Sequence, residues 1–173
     1  NFNLGFSTGG ELAGRFVPRG VVIPCLAAGE VWYLKIRTSS SEPGKKYMGI
    51  KGNRPAAFFN ADDLISGGDA VLFCEGEFDC MTAWQELHRE IACATMGSAN
   101  NTPDLASWGA WLLGVRKGFI AYDADLAGSK GSERMADILG GRAVRVQLPN
   151  GAHDINDYYR VGGDLWEWLR PYL

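Results

Sequence analysis

Carboxylates at two places in the chain have the type and spacing for metal-assisted chemistry. Glu75-Gly76-Glu77-Phe78-Asp79 follows the apolar run Val71–Cys74, and Asp123-Ala124-Asp125 follows the apolar run Gly118–Tyr122. Glu75 leaves its strand where the backbone must turn into a helix, and Gly76 makes that turn cheap. Asp79 then falls in the first helical turn, where the macrodipole tolerates a negative charge. Asp123 and Asp125 are two apart, so on an extended backbone they face the same way. Two parallel strands ending on acids at one sheet edge suit Mg²⁺, which binds one or two carboxylates, several waters and substrate phosphates. One or two such ions would align an attacking 3′-oxygen with a leaving pyrophosphate and stabilise their charge, with Glu75 as a base or a shared ligand. Gly128 is expected to let the chain pass close to a phosphate. Glu-Gly or Asp-x-Asp alone is a common turn. What carries the reading is both at successive strand ends, each followed by a helix.

The elements that must position these acids can be read from periodicity. Strand Ala70–Cys74 leads into a helix from about Glu77 to Arg89, whose buried face is Cys80, Trp84, Leu87 and Ile91. A strand over Ile91–Ala94 ends at Met96-Gly97-Ser98. A helix over Asp104–Leu113 follows, with Pro103 and Asp104 in its first turn. Strand Gly118–Tyr122 precedes a helix over Ser132–Leu139, for which Ser132 is the expected N-cap. Arg142–Leu148 reads as a fourth strand and Asp164–Leu169 as a closing helix with Leu165, Trp166 and Leu169 on its apolar face. Such alternation predicts a parallel sheet with helices on both faces, and ligands in that class sit at the carboxyl ends of the strands.

The first third reads differently. Gly20–Pro24 and Glu30–Arg37 are strand-like and joined by Ala27-Ala28-Gly29 as a hairpin, and Lys46–Ile50 returns as a further strand. Arg15, Arg19, Lys35, Arg37, Lys45, Lys46, Lys51 and Arg54 crowd this region, although the whole chain carries a net charge of −3. A basic β-rich part facing an acidic metal edge suits a protein that sets a polyanion against metal ions. We therefore divide the chain into a basic β-rich subdomain over 1–66 and an α/β domain over 67–173, the break marked by Ser66-Gly67-Gly68-Asp69.

Bulk properties narrow the class. The 173 residues are 46% apolar, enough for a globular core. No apolar run is long enough to cross a bilayer as a helix, so no membrane role and a cytoplasmic location are expected. The chain opens on Asn1 rather than methionine, so we expect a processed product or, preferably, a fragment of a larger chain. Cys25, Cys74, Cys80 and Cys93 have no Cys-x-x-Cys spacing and read as buried, reduced side chains. With His88 and His153 as the two histidines, no zinc site is expected. Trp84, Trp108, Trp111, Trp166 and Trp168 fall in helical patterns and are assigned to packing, and Trp32 is left as a candidate for base stacking. The polar loop Ser98–Thr102 lies at the same sheet edge and is a further candidate for a phosphate contact.

The Glu75/Asp79 and Asp123/Asp125 pairing resembles the Toprim domain of bacterial-type primases, type IA and II topoisomerases, small nucleases and recombination mediators, over about Ala70 to the C-terminus. The preceding segment resembles that of bacterial and phage primases: Arg19-Gly-Val-Val-Ile-Pro24, then Tyr33-Leu-Lys-Ile-Arg37, then Lys46-Tyr47-Met48, with Phe58-Phe59-Asn60 like the aromatic turn that links the two parts. His153-Asp154-Ile155-Asn156-Asp157 resembles the family's last acidic motif, with His153 where a lysine is usual. This resemblance implies a Toprim-type α/β fold and a primase core that makes RNA primers from nucleoside triphosphates on single-stranded DNA. It implies Mg²⁺ (or Mn²⁺) held by Glu75, Asp123, Asp125 and Asp154, with Glu75, Asp79, Asp123 and Asp125 catalytic. Arg19, Lys35, Arg37 and Lys46 would contact template or nucleotide, and a replicative helicase, in cis or in trans, would be the partner. The short chain, without a zinc ribbon or a helical C-terminal part, points to a phage or plasmid primase or the primase half of a primase–helicase. The alternatives are a Toprim nuclease using the same metals and a non-catalytic module that binds DNA or a helicase. A topoisomerase ranks last, as no tyrosine domain accompanies the metal site.

Overall fold

The computed structural model describes residues 2–42, 44–50, 52, 57–66 and 69–173. Among these, the elements run β1 (Gly5–Ser7), β2 (Gly10–Leu12), β3 (Arg15–Val17), β4 (Gly20–Ala27), β5 (Glu30–Arg37), β6 (Tyr47–Gly49), α1 (Ala61–Ser66), β7 (Ala70–Cys74) and α2 (Glu77–Leu87). They continue as β8 (Ala92–Thr95), α3 (Leu105–Gly114), β9 (Lys117–Ala121), α4 (Leu126–Leu139), β10 (Ala143–Arg145), α5 (Ile155–Arg160) and α6 (Leu165–Leu169), with short 3₁₀ turns between the later ones.

The central strands show why a parallel sheet forms. β7, β8 and β9 are apolar along nearly their whole length and buried on both faces, as strands covered by helices on each side must be. The sheet order is β10-β9-β7-β8, and the pairings are parallel. The α/β fold expected from the strand–helix alternation is the one observed. The chain runs from β7 outward to β8, then crosses back to place β9 on the other side of β7. That reversal opens a crevice at the carboxyl ends of β7 and β9.

The N-terminal sheet is antiparallel, in the order β1-β4-β5-β6. Its β4–β5 hairpin turns at Ala28 and Gly29, with φ of 51° and 79°, the left-handed pair that a tight hairpin turn demands. Leu26 pairs with Val31 and Cys25 with Tyr33, so Trp32 is the extra residue of a bulge. Its ring packs on Trp108 at 5.2 Å between centroids, a structural partner within the fold for the tryptophan considered for base stacking.

One hydrophobic core joins the two sheets across the 66/67 division. Ile23, Cys25 and Tyr33 from the first belong to the same cluster as Phe58, Phe73, Cys80 and Phe119. Phe58 and Phe59 are the hinge of that union and are fully buried, worth on the order of 2–3 kcal/mol each by area. Phe59 pairs with Thr95 through both backbone bonds, and Asp63 and the Asn60 side chain take up the Cys93 amide and carbonyl. Together they cover the outer edge of β8, which would otherwise invite pairing with another chain. The four cysteines are buried and unpaired, as expected.

Several element boundaries differ from the sequence reading. The helix expected to begin at Ser132 starts at Leu126, capped by Asp125, whose side chain accepts from Gly128 N; Ser132 lies inside it and is buried. Gly128 and Gly131 lower the helical propensity of that segment, yet the helix needs both glycines for close contact. Asp104 is the N-cap of α3 rather than a first-turn residue. Strand β10 is three residues long rather than seven, although Val146 N still bonds to Ile120 O. Helices α1 and α5 and strands β1–β3 are too short to leave a periodic signal, and none was anticipated. Lys51, Arg54, Gly67 and Gly68 lie outside the described residues. Among the described residues, no helix is long and apolar enough to cross a membrane.

Candidate active site

The register of the parallel sheet brings the two acidic motifs together. Cys74 pairs with Ala121, so Glu75 and the Tyr122-Asp123 segment leave adjacent strands side by side. The Glu75 carboxylate accepts the Asp123 backbone N–H at 3.1 Å. This bond fixes the direction of the chain beyond β9 and offsets part of the cost of burying Glu75. Burial still raises the Glu75 pKa, with Asp125 adding to the rise.

Asp79 enters from the first turn of α2 and is almost buried. Its Oδ1 accepts the Asn156 side-chain amide at 2.6 Å and the Asn156 backbone N–H at 3.3 Å. Asn156 is fixed in turn by the Thr82 hydroxyl, which donates to its Oδ1 at 2.5 Å. Asp154 caps α5, its Oδ1 accepting from Asp157 N, and so delivers the last acidic motif to the same place. Burial lifts Asp79 to about 6, with further push from Asp154 and relief from the two Asn156 bonds. Burial also lifts Asp123 to about 7, with Glu75, Asp79, Asp154 and Asp125 all adding repulsion.

Glu75, Asp79, Asp123 and Asp154 line one open cavity of about 740 Å³, and burial with carboxylate repulsion raises Glu75, Asp79 and Asp123 above the usual carboxylate range. Among the described residues, no three acidic, imidazole or thiol groups converge on a closed coordination shell. An oxygen-only donor set suits Mg²⁺, which keeps its waters and takes substrate oxygens, better than zinc.

The cavity is also lined by basic residues, Arg37 and Lys46 from the antiparallel sheet and its flank and Arg160 from α5. Tyr33, Lys35 and Arg37 occupy one face of β5 by the two-residue repeat. Arg37 donates to the Tyr47 hydroxyl at 2.7 Å and lies over the Phe78 ring at 4.7 Å, so its guanidinium is held between β6 and α2. Lys46 stands 5.9 Å from the centre of the Tyr47 ring and, like Arg160 of α5, lines the cavity. Ser98, from the polar loop, also reaches it.

Three anticipated residues stand elsewhere. Lys35 is turned inward onto Glu77 at 2.5 Å and onto Gly97 O at 2.7 Å. Arg19 is exposed at the start of β4 and does not line this cavity. Asp125 caps α4 and borders a neighbouring cavity of about 820 Å³, with Asp123 on the shared wall; the turn into α4 ends the extended backbone that would have aligned the two. Gly128 serves packing rather than phosphate approach, since a Cβ there would come within 2.1 Å of Asp123 O and 2.9 Å of the Glu75 carboxylate.

Sequence reasoning gave no separate role to Glu77, Tyr47, Phe78, Asn156 or Arg160, although Tyr47 and Asn156 fall within motifs it marked out. Glu77 left a signal. It falls on the apolar stripe of α2 with Cys80 and Leu87, and an acid at such a position demands a buried partner. Asn156 falls in the last acidic motif, but its bond to Asp79 was not legible there because it comes from α5 packing on α2.

Comparison with known proteins bears on this geometry. The chain is similar in fold to the Aquifex aeolicus primase structure containing the zinc-binding and RNA polymerase domains, with a TM-score of 0.72 and 20% identity over 98% of this chain and 50% of that one. It is similar to the primase fragment of the bacteriophage T7 primase-helicase protein, with a TM-score of 0.70 and 22% identity over 91% of this chain and 67% of that one. A third match is a bacteriophage T7 lagging-strand DNA polymerase structure in which primase domains of two subunits bind an RNA/DNA hybrid and dTTP, with a TM-score of 0.69 and 20% identity over 94% of this chain and 79% of that one. The chain thus spans half the length of the Aquifex structure that it matches. No curated protein matches it. The family model described as Toprim-like matches residues 72–159, from β7 through α5. That stretch carries the strand ends, Asp79 and the last acidic motif, and by it the chain belongs to the Toprim-like family.

Proposed function

We propose that the chain is the catalytic core of a DNA primase, joining nucleoside triphosphates into RNA primers on a single-stranded DNA template. The observation that carries the reading is that Arg37 and Lys46 line the same cavity as Glu75, Asp79, Asp123 and Asp154. A nucleotidyl transfer must hold a triphosphate and bring a 3′-hydroxyl against its α-phosphorus. The basic residues serve the first need and the acidic ones the second. The likeness of fold to primase fragments supports the choice of this reaction over hydrolysis.

In this reading Asp79, Asp123 and Asp154, with Glu75, hold Mg²⁺ or Mn²⁺. When bound, the ion neutralises charge on the attacking and leaving oxygens. Arg37 presents a planar fork to phosphate oxygens, already oriented by Tyr47 and Phe78, so little freedom is lost on binding. Lys46 adds a mobile point charge. Asn156 keeps one oxygen of Asp79 engaged and so aims the other into the cavity. Glu75, bonded to the Asp123 amide, keeps the end of β9 in register. Asp125 acts through α4, by fixing the first turn against the shared wall. The reading brings with it a replicative helicase as partner, in cis or in trans, and the cytoplasm of a bacterial or phage-infected cell as its setting.

The test is incorporation of labelled nucleotides on single-stranded DNA with Mg²⁺ or Mn²⁺, run beside a cleavage assay, with Asp123→Ala as the control in both. Oligonucleotide products that vanish in the variant and with Lys46→Ala are the expected result. Cleavage without synthesis, and unaffected by Lys46→Ala, would replace primase by nuclease.

A further inference from the structure

The ion pair Lys35–Glu77, with Glu77 buried and Lys35 partly so, joins the basic strand β5 to the cavity-lining first turn of α2. Glu77 is 1% exposed. It accepts from Lys35 Nζ at 2.5 Å and from the Tyr33 hydroxyl at 3.2 Å. Lys35 also donates to Gly97 O at 2.7 Å. The Gly97 N–H donates to Thr95 Oγ1 at 2.8 Å, and that hydroxyl donates to the Glu75 carbonyl at 2.7 Å. The network therefore runs from β5, through the first turn of α2, to the loop after β8 and the end of β7.

Each member sits beside a residue of the site. Arg37 is the next residue after Lys35 on the same face of β5, Asp79 is two beyond Glu77 in the first turn of α2, and Ser98 follows Gly97. Gly97 has φ of 71°, and a Cβ there would come within 2.3 Å of Glu77 Oε1 and 2.9 Å of Lys35 Nζ. The loop thus closes directly over the pair, with no room for a side chain. Buried ion pairs add little net stability relative to an apolar pair of the same size, and their best-attested use is to specify register.

Building on the primase reading, we propose that Lys35 and Glu77 are positioning residues that set the spacing between the basic residues and the acidic edge. Lys35 does this through Glu77 and Gly97 rather than by touching nucleotide. An apolar pair could fill the same volume, but it has no directional bonds to hold β5 in register with α2.

The test uses Lys35→Met, Glu77→Met, the double Met variant and Glu77→Gln. Hydrogen exchange in the absence of nucleotide and metal reads the coupling of the sheets without reference to activity. Unfolding and steady-state primer synthesis are followed in parallel. The double Met variant, which leaves no lone buried charge, is expected to melt near the wild type. Its amides at Arg37, Thr38, Gly97 and Ser98 should exchange ~10-fold faster or more, and its kcat should fall ~10–100-fold with a much smaller change in nucleotide KM. This keeps the test open even if the single Met variants fail to fold. Wild-type exchange and wild-type kcat in the double variant would reduce the pair to a packing detail and overturn the proposal. A KM raised by Lys35→Met but untouched by Glu77→Gln would also overturn it, by making Lys35 a direct ligand. Faster exchange in a protein that makes no primers would sink the primase reading and leave the positioning role standing.

Discussion

Gly128 and Gly109 give the sharpest contrast in the fold, because the same substitution should move stability in opposite directions. Both lie inside helices without a positive φ, so Gly→Ala gains about 1 kcal/mol of helical propensity at each. At Gly109 a new Cβ meets Leu105 Cβ at 4.0 Å, ordinary contact, and the gain stands. At Gly128 the new Cβ falls 2.1 Å from the Asp123 carbonyl oxygen, about 1 Å or more inside any contact a Cβ tolerates. The obstacle is backbone, at the end of a buried strand, so α4 must move. Overpacking of that kind costs about 1–3 kcal/mol, which outweighs the propensity term. Urea unfolding of the two variants should therefore show Gly109→Ala stabilised by roughly 0.5–1 kcal/mol and Gly128→Ala destabilised by up to roughly 2 kcal/mol after subtraction. The displaced helix carries its Asp125 cap away from the Asp123 wall, so synthesis should fall with Gly128→Ala and not with Gly109→Ala. Equal stability of the two variants would refute the argument that α4 is pinned against Asp123 and Glu75.

In metal-free protein, Asp79 at about 6 and Asp123 at about 7 both lie above their unfolded values near 4. The folded state binds more protons in that interval, so stability should fall as pH rises from about 4 to about 7 and level off above. Buried Asp79 carries about 2–3 kcal/mol of this, and half-exposed Asp123 less than its shift suggests. Thermal scans in chelator should show Asp79→Asn more stable than the wild type at pH 8 and equal to it at pH 4, and Mg²⁺ should raise the wild-type Tm more than the variant's. Arg37→Lys keeps the charge but loses the fork that Tyr47 and Phe78 orient; a roughly tenfold weaker nucleotide KM is expected, and no change would remove Arg37 from the phosphate-binding role. Asn156→Ala removes the side-chain link from Asp79 to Thr82 and leaves only the longer backbone bond to α5; it should cost about 1–2 kcal/mol in unfolding and lower kcat, with no effect on either counting against the positioning of Asp79 by the Asn156 side chain.

What the sequence determined by itself is the sheet edge. The runs Val71–Cys74 and Gly118–Tyr122 are apolar without alternation, so they had to be buried parallel strands, and the acids just beyond them had to emerge together at carboxyl ends. Glu30–Arg37 was legible for the same reason, through a period of two that needs no partner to be seen. The roles of single residues were not legible, because they depend on which elements meet. Asp125 reads as a twin of Asp123 until the chain turns into α4 and makes it a helix cap. Lys35 reads as a free cation beside Arg37 until the packing of β5 on α2 gives it Glu77. Gly128 reads as a loop residue until a Cβ is placed against Asp123. Short helices α1 and α5 escaped because six residues are too few to set a period, yet they supply Asp63, Asn156 and the frame around Asp154. Local periodicity is encoded within a dozen residues and survives reading in one dimension. Contacts such as Asp79 with Asn156, separated by 77 positions, exist only once the core has closed and the chain has no other way to satisfy its buried charges.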